Sequence, residues 1–272
     1  MMNKLKLNIL TIILICFALV FTSCEKVVDL DLDDAPQALV IEALLHDSIG
    51  DNYVIISKSK PFNENTGTFE TVSGATVVIT DNLGNSFSFI EVLAGVYNSP
   101  TLKGIEGRTY VLSVYADGKS ISAQSTMPPK INLDSLSHQK INRPFSDPND
   151  PQQYRIYTHF YDTPNFNNYY RIKASSRTVQ QKSVLVLSDN LIDGDNVVFP
   201  IFQTEFEEND TVSVQLLSID EVNYRYFNAL ASSQGGEVPG NPETNLNGAE
   251  NVVGFFAAYA KSERKFIVTP LP

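Results

Sequence analysis

"VSGATVVITDNLGNSFSFIEVLAGVYNSP", Val72–Pro100, is the stretch that decides the fold. In the segment 75–80 the odd positions are apolar and two of the three even positions are threonine, a period of two that predicts a β-strand. The "DNLGN" sequence that follows predicts a turn, because Gly84 can adopt a positive φ. Phe87 and Phe89 continue the alternation on a returning strand, so the stretch predicts a hairpin.

The next segment, "TYVLSVYADGKSISAQSTMPP", repeats this pattern. Tyr110, Leu112 and Val114 fall on one face, and Asp117-Gly118 is a strong signal for a tight hairpin turn. The order of strands and glycines over residues 72–127 resembles the prealbumin-like, carboxypeptidase-regulatory type of small sandwich. Short segments rich in Val, Ile, Thr and Tyr recur along the chain between Gly, Asn, Asp and Pro, which is typical of all-β proteins.

The second half continues in strands and adds one helix. "YRIYTHFYD" and "NNYYRIKASSR" are predicted hairpin partners, and "SVLVLSD" and "NVVFPIFQ" flank a turn at Asp193-Gly194. Ser218 and Glu221 form the pattern of a capping box, which predicts a helix near residues 219–231. "VVGFFAAYA" and "KFIVTP" are predicted to close the chain as a pair of strands. The predicted fold is therefore all-β, with an N-terminal prealbumin-like or Ig-like β-sandwich and a larger β-rich domain with one short α-helix.

The amino terminus has the pattern of a secretory signal. Lys4 and Lys6 precede a 13-residue run, 9–21, that is apolar except for one threonine, within the roughly 7–15 residues of a signal core. The small residues before Cys24 resemble a bacterial lipobox, in which the cysteine is lipidated and becomes the new amino terminus. An ordinary cleaved signal with an incidental thiol is the alternative. The predicted segments are a signal peptide at 1–23, a tether at 24–36, a sandwich at 37–129 and a β-rich domain at 130–272.

The net charge argues against one class of partner. The chain has a formal net charge of −11, and removing residues 1–23 leaves 18 basic against 31 acidic side chains. So acidic a surface argues against binding to nucleic acid. The only cysteine outside the predicted signal is Cys24, so the mature chain is predicted to form no internal disulfide.

Catalytic motifs are missing from the sequence. It contains no G-x-S-x-G, G-x-G-x-x-G, Walker or H-E-x-x-H pattern, and its three histidines are far apart. No cofactor and no catalytic residue is predicted. A glycosidase would require two carboxylates at a set separation, and thirty-one acids leave that pair unassigned.

Two loops provide the binding candidates. Asp189, Asp193 and Asp195 cluster around Gly194 and are candidate calcium ligands, although Asp-Gly is also an ordinary turn. The "PGNPETN" segment could present polar groups to a ligand or partner, with the candidate residues Asn241, Glu243 and Asn245. The alternative is that its prolines and asparagines only shape a long turn.

The role of several aromatic residues is also open, because they could line a ligand site or belong to the core. Four of them could line a ligand platform, although aromatics at strand or helix spacing are more often core residues. These four are Tyr169, Tyr170, Tyr224 and Phe227.

Several stretches together resemble one family. They are the cysteine with "EKVVDLDL", "SGATVVITDNLG", "YRIYTHFYDTP" with "NNYYRI", "DGDNVVF", "LLSIDEVNYRYFNAL" and, most specifically, "PGNPETNLNGAENVVGFFAAYA". From about residue 24 to its end, the chain resembles the domain of unknown function 4249 family, which are lipoproteins of Bacteroidota. The resemblance implies an outer-membrane lipoprotein, often associated with TonB-dependent receptors, and implies no reaction.

Three functional hypotheses follow. The first is a non-enzymatic lipoprotein, held to the outer membrane through Cys24, that binds a ligand or assists a TonB-dependent receptor. The second is a surface hydrolase acting on glycan or peptide, which predicts a deep pocket with converging carboxylates. The third is a structural or adhesive surface protein with flat binding faces. The membrane leaflet stays open, because the acids after Cys24 are interrupted by Lys26, Val27 and Val28.

Overall fold

The computed structural model describes residues 36–60, 68–144, 147, 150–180, 183–202, 204–234 and 242–271. Residues 36–272 belong to one compact unit. The predicted signal peptide, the tether up to residue 35 and the lipidation site at Cys24 lie outside the described residues.

Within these ranges the chain forms sixteen strands and one α-helix, which confirms the all-β fold with a single helix. The strands of the first half are β1 (Leu39–His46), β2 (Tyr53–Lys58), β3 (Thr76–Asp81), β4 (Ser86–Leu93), β5 (Val96–Asn98), β6 (Thr109–Ala116) and β7 (Lys119–Thr126). Those of the second half are β8 (Leu133–Lys140), β9 (Gln153–Tyr161), β10 (Tyr169–Ser175), β11 (Leu185–Ser188), β12 (Asn196–Pro200), β13 (Phe206–Glu207), β14 (Thr211–Ile219), β15 (Leu246–Asn247) and β16 (Val252–Ile267), with the helix α1 (Glu221–Gln234) between β14 and β15.

The described strands form two sheets. The larger has the order β11-β10-β14-β16-β1-β2-β5-β4-β3-β6-β7-β15. The smaller has β9 at its centre, paired with β12 and β13 and also with β8. The predicted hairpins β3–β4 and β6–β7 are present. At the second of these turns, Asp117 and Gly118 both have positive φ, 51° and 72°, which is the geometry that a two-residue hairpin turn requires.

The last strand, β16, connects the two halves of the large sheet. Its first half pairs in parallel with β1, from Leu39↔Val252 to His46↔Tyr259, and its second half pairs antiparallel with β14. Residues 254–260 are all buried, because both faces of the strand are covered. Phe256 faces the core of β1–β7, while Phe255 faces α1.

Two large cores lie on either side of this connection. One is built from side chains of residues 39–127 with Leu246 and part of β16, and the other from residues 131–216 with Val268. The predicted domain boundary between residues 129 and 130 stays a prediction. β1 of the first predicted domain and β16 of the second pair in one sheet, and both belong to a single compact unit.

Three local predictions are wrong in detail. β9 and β10 do not form a hairpin, since β9 lies in the small sheet and β10 pairs with β11 and β14. The predicted closing pair of strands is the single 16-residue strand β16. The helix begins at Glu221, later than predicted, because residues up to Ile219 pair with β10 and Asp220 caps the helix by accepting from the Asn223 amide at 3.0 Å.

Candidate functional site

Strand β10 separates a core from a polar face. Tyr170, Ile172 and Ala174 are buried, whereas Arg171 and Lys173 alternate with them on the opposite face. This period-two pattern follows from strand geometry, in which successive side chains point to opposite sides of the sheet. Two cations are thus placed next to one another on the face of the sheet that also carries α1.

Helix α1 covers one end of that face. The Phe227 ring packs on Phe255 of β16 with ring centres 4.9 Å apart, and Tyr224 packs on Tyr169 at the same separation. The Arg171 guanidinium lies 3.9 Å from the Phe227 ring centre, a cation–π contact. The helix therefore packs on the Tyr169 and Arg171 side chains at the start of β10.

The start of the helix is fixed to the sheet by one carboxylate. Asp220 accepts hydrogen bonds from the Ser125 hydroxyl at 2.6 Å and from the Thr126 amide at 3.0 Å, in addition to its capping bond. Asn223, on the first turn, donates to the Phe256 carbonyl of β16 at 3.0 Å. These bonds tie α1 to both β7 and β16, so its position over β10 is defined by several elements.

A pocket of about 250 Å³ opens on this face beyond the helix. It lies over β10 and β14, and the described residues Gln180, Ser183 and Val184, which precede β11, line its third side. Its polar lining consists of two cations, two amides and three hydroxyls. The lining residues are Arg171, Ile172, Lys173, Ala174, Ser175, Gln180, Ser183, Val184, Ser213 and Gln215.

Positive charge is concentrated in this pocket, although the chain as a whole is acidic. Desolvation lowers the pKa of Lys173, and the nearby charges of Arg171 and Lys261 lower it further. Burial also lowers the pKa of Arg171, partly offset by Tyr259, Tyr53 and Glu42. Neither Arg171 nor Lys173 has an ion pair or side-chain hydrogen bond with a residue that the structure describes.

One carboxylate lies beside the pocket without lining it. Glu263 of β16 accepts from the Ser213 hydroxyl at 2.7 Å and from the Gln215 amide at 3.3 Å, and Lys261 lies 3.9 Å from it. The Glu263 carboxylate therefore already has hydrogen-bond and charge partners within the protein. No histidine or acid is among the lining residues, so a serine there has no imidazole to activate it as a nucleophile.

The predicted calcium candidates are brought together only in part. Carboxylate oxygens of Asp162, Asp189 and Asp193 lie within 4.8 Å of one another. Asp195 contributes its backbone carbonyl, which accepts from the Asp162 amide at 3.0 Å. Sequence reasoning missed Asp162, which follows β9 and lies 27 residues before Asp189.

Each of these three carboxylates is hydrogen-bonded within the protein. Asp162 accepts from the Gly194 amide at 3.0 Å and from the Tyr170 hydroxyl. Asp189 accepts from the Asn168 amide at 2.6 Å, and Asp193 from the Asn165 amide at 2.8 Å. The pKa of Tyr170 is strongly raised, first by desolvation and then by its bond to Asp162. These bonds hold the loops after β9 and β11 together, and the calcium role stays a prediction.

The other predicted residues are dispersed. Asn241 lies outside the described residues, and Glu243 is exposed. The Asn245 side chain bonds to the Phe256 amide at 2.9 Å and to the carbonyls of Phe256 and Gln124 at 2.7 and 3.1 Å, which joins β16 to β7. Its polar atoms therefore have partners inside the protein, and a ligand or partner role for this loop stays a prediction.

His46 and the four aromatic residues considered for a ligand platform all pack against other residues of the protein. His46 bonds to the Tyr259 hydroxyl at 2.8 Å, and desolvation lowers its pKa to about 4. Of the four aromatic residues considered for a ligand platform, Tyr170 and Phe227 are buried in separate cores, and Tyr169 and Tyr224 pack against the core around α1.

Sequence reasoning missed the cationic pocket. The signal in "YYRIKASS" is present, because Arg171 and Lys173 are two residues apart on a strand. The same alternation is ordinary on a solvated strand face, however. Only the tertiary arrangement, which places Gln180, Ser183 and Val184 beside β10 and β14, turns this face into a pocket.

Among the described residues there is no helix that is long and apolar enough to cross a membrane. No curated protein matches the chain. The family model described as "Domain of unknown function (DUF4249)" matches residues 25–265, which is most of the chain. The protein therefore belongs to the DUF4249 family.

Proposed function

We propose that this protein is a non-enzymatic lipoprotein of the outer membrane that binds a small ligand and assists a TonB-dependent receptor. The membrane attachment is assigned to Cys24, because an apolar run that ends in small residues and a cysteine fits lipid modification. Several acyl chains on one residue would hold the protein firmly, whereas one chain gives marginal binding.

The pocket beside α1 is the observation that carries the proposal. It has hydrogen-bond donors from Arg171, Lys173 and two glutamines, and its lining residues include no general base. Such a set of groups can orient a ligand, but it offers no acid–base pair for hydrolysis. Binding is therefore the activity that best fits this site.

A hydrolase is less well supported. The acids that do converge, Asp162, Asp189 and Asp193, accept hydrogen bonds from backbone amides of neighbouring loops. Asp162 and Asp189 are also buried. A carboxylate that is already bonded in this way organises a loop more readily than it transfers protons to a substrate.

The anchor is tested by mass spectrometry of the chain purified from its native membrane. The expected mature chain begins at Cys24, with a diacylglycerol on the thiol and an acyl chain on the new amine. Cys24→Ser should abolish both modifications and release the protein from the membrane. Cys16→Ser is the matched control, since it removes the other cysteine and should leave the anchor intact. An unmodified thiol in the wild-type chain would overturn the assignment.

The receptor role is tested by gentle solubilisation and affinity purification of the lipidated protein. A TonB-dependent receptor should co-purify in stoichiometric amounts with the wild-type chain, and deletion of the lipoprotein should slow uptake by that receptor. If no receptor co-purifies and uptake is unchanged, the accessory role is refuted.

A further inference from the structure

We propose that the pocket beside α1 binds the anionic group of a small molecule, a phosphate, sulfate or carboxylate, through Arg171 and Lys173. This inference rests on the proposed ligand-binding function and specifies the chemical class of the ligand. It concerns the pocket itself and is independent of the membrane anchor and the receptor.

The first support is the arrangement of the cations. Arg171 and Lys173 are two residues apart on β10, so their side chains leave the same face of the sheet roughly 7 Å apart at the backbone. Both line the same pocket, together with Ser175 two residues further on. One small anion between the two side chains could therefore contact both charges, and a guanidinium and an ammonium are the groups that proteins use for this purpose.

The second support is the missing counter-charge. Lys58, Arg108, Lys130, Arg143 and Lys261 all form ion pairs with acids. Arg171 and Lys173 form none with the described residues, in a chain with eleven more acidic than basic side chains. Partly desolvated charges without a counter-charge are unfavourable, and a bound anion would supply that counter-charge.

The third support is the rest of the pocket wall. Gln180 donates one amide hydrogen to the Ser176 carbonyl at 3.3 Å and Gln215 donates one to Glu263 at 3.3 Å, so each side-chain amide retains a second hydrogen for an oxyanion. The Ser175 hydroxyl can also donate, whereas the Ser183 hydroxyl already donates to the Phe202 carbonyl at 3.3 Å. The volume of about 250 Å³ is below the roughly 300–1,000 Å³ of sites for drug-sized ligands. The pocket therefore suits a small anion or the charged end of a larger molecule.

Two nearby acids limit what can bind. Glu263 borders the pocket and is bonded to Ser213, to Gln215 and, more distantly, to Lys261. The negative charge of Glu42 on β1 partly offsets the lowering of the Arg171 pKa by burial, although the two residues do not form an ion pair. Both acids lie toward β16 and β1, so the anion is expected on the β11 side of the pocket, next to Gln180 and Ser183.

The test is isothermal titration of the full chain in detergent with three separate probes, inorganic phosphate, inorganic sulfate and succinate. The wild-type chain should bind at least one of them saturably. Lys173→Gln should weaken that binding about tenfold or more, because a charge-assisted hydrogen bond is lost. Arg171→Gln should have a similar effect, and Arg171→Lys should retain part of the affinity. Comparing the probes distinguishes a tetrahedral from a planar anion.

Lys103→Gln is the matched control. It removes the same charge from an exposed lysine in a different depression, which also contains Asp47, Glu106 and Lys130, and it should leave binding unchanged. Absence of saturable binding by all three probes, or an equal loss in Lys103→Gln, would overturn the anion site. Lys173→Gln remains informative if Arg171→Gln fails to fold, since Lys173 makes no contact with α1 comparable to the Arg171–Phe227 contact. Receptor co-purification with no anion binding would reject this inference and leave the proposed function standing.

Discussion

Replacing Gly254 by alanine is expected to weaken the pairing of β1 with β16 severely. Gly254 has a φ of +116°, and a Cβ placed there would lie 2.0 Å from the Ile41 carbonyl oxygen and 2.8 Å from its carbon. Gly254 is the residue directly paired with Ile41 in the parallel ladder. The added methyl group cannot be accommodated by a side-chain rotation, because the atoms that it meets belong to the backbone of β1.

The magnitude follows from two contributions. An L residue in a left-handed conformation costs about 1–2 kcal/mol. Separating β1 from β16 enough to relieve the clash would break backbone hydrogen bonds, each worth about 0.5–1.5 kcal/mol, so the loss of two adds about 1–3 kcal/mol. We therefore expect Gly254→Ala to lower the free energy of unfolding by about 2–5 kcal/mol.

Urea denaturation followed by far-UV circular dichroism and tyrosine fluorescence measures this loss. Gly84→Ala is the matched control, because Gly84 also has a positive φ, +86°, but has no atom within 4 Å of the added Cβ. The control should lose only the conformational part, about 1–2 kcal/mol. If Gly254→Ala is no less stable than Gly84→Ala, the close approach of β16 to β1 is refuted.

Two further predictions concern buried polar groups. His46 has a folded-state pKa of about 4, below its ordinary value, so the unfolded chain binds the proton first and stability falls as the pH drops from about 6.5 to about 4. The loss reaches at most about 3 kcal/mol, and thermal melts across this range should show a smaller loss in His46→Gln; identical pH profiles would contradict this account. Tyr170→Phe removes the hydroxyl that donates to buried Asp162 and should cost about 1–3 kcal/mol in urea denaturation. The control Tyr169→Phe, whose hydroxyl makes no such bond to a described residue, should change stability by about 0.5 kcal/mol or less, and equal losses in both variants would refute the role of the Asp162 bond.

Local sequence patterns predicted local structure well. The alternation around Val77 and Ile79, the turn at Asp117-Gly118 and the helix after Ile219 all correspond to elements of the structure. Each of these depends on the period of side chains or on the φ preference of one or two residues, so a short window of sequence contains the necessary information.

Pairing between distant segments was predicted less well. The polar and apolar alternation of "YRIYTHFYD" and "NNYYRIKASSR" suits two neighbouring strands, yet β9 and β10 lie in different sheets. A strand pattern specifies which face is buried, but it does not specify which strand becomes the neighbour. Asp162 was missed beside Asp189 and Asp193 for the same reason, since their proximity depends on the packing of the loop after β9 against the loop after β11.

The sequence by itself determined the all-β class, the membership of a family and the chemistry of each strand face, because these depend on composition and on local periodicity. Only the tertiary structure decided that Arg171 and Lys173 line a pocket without a carboxylate partner among the described residues. On a bare strand two alternating cations would be hydrated by water, and their charges would need no other partner. Here both cations are partly desolvated, Arg171 lies against Phe227 of α1, and this desolvation is the physical reason for the anion site that we propose.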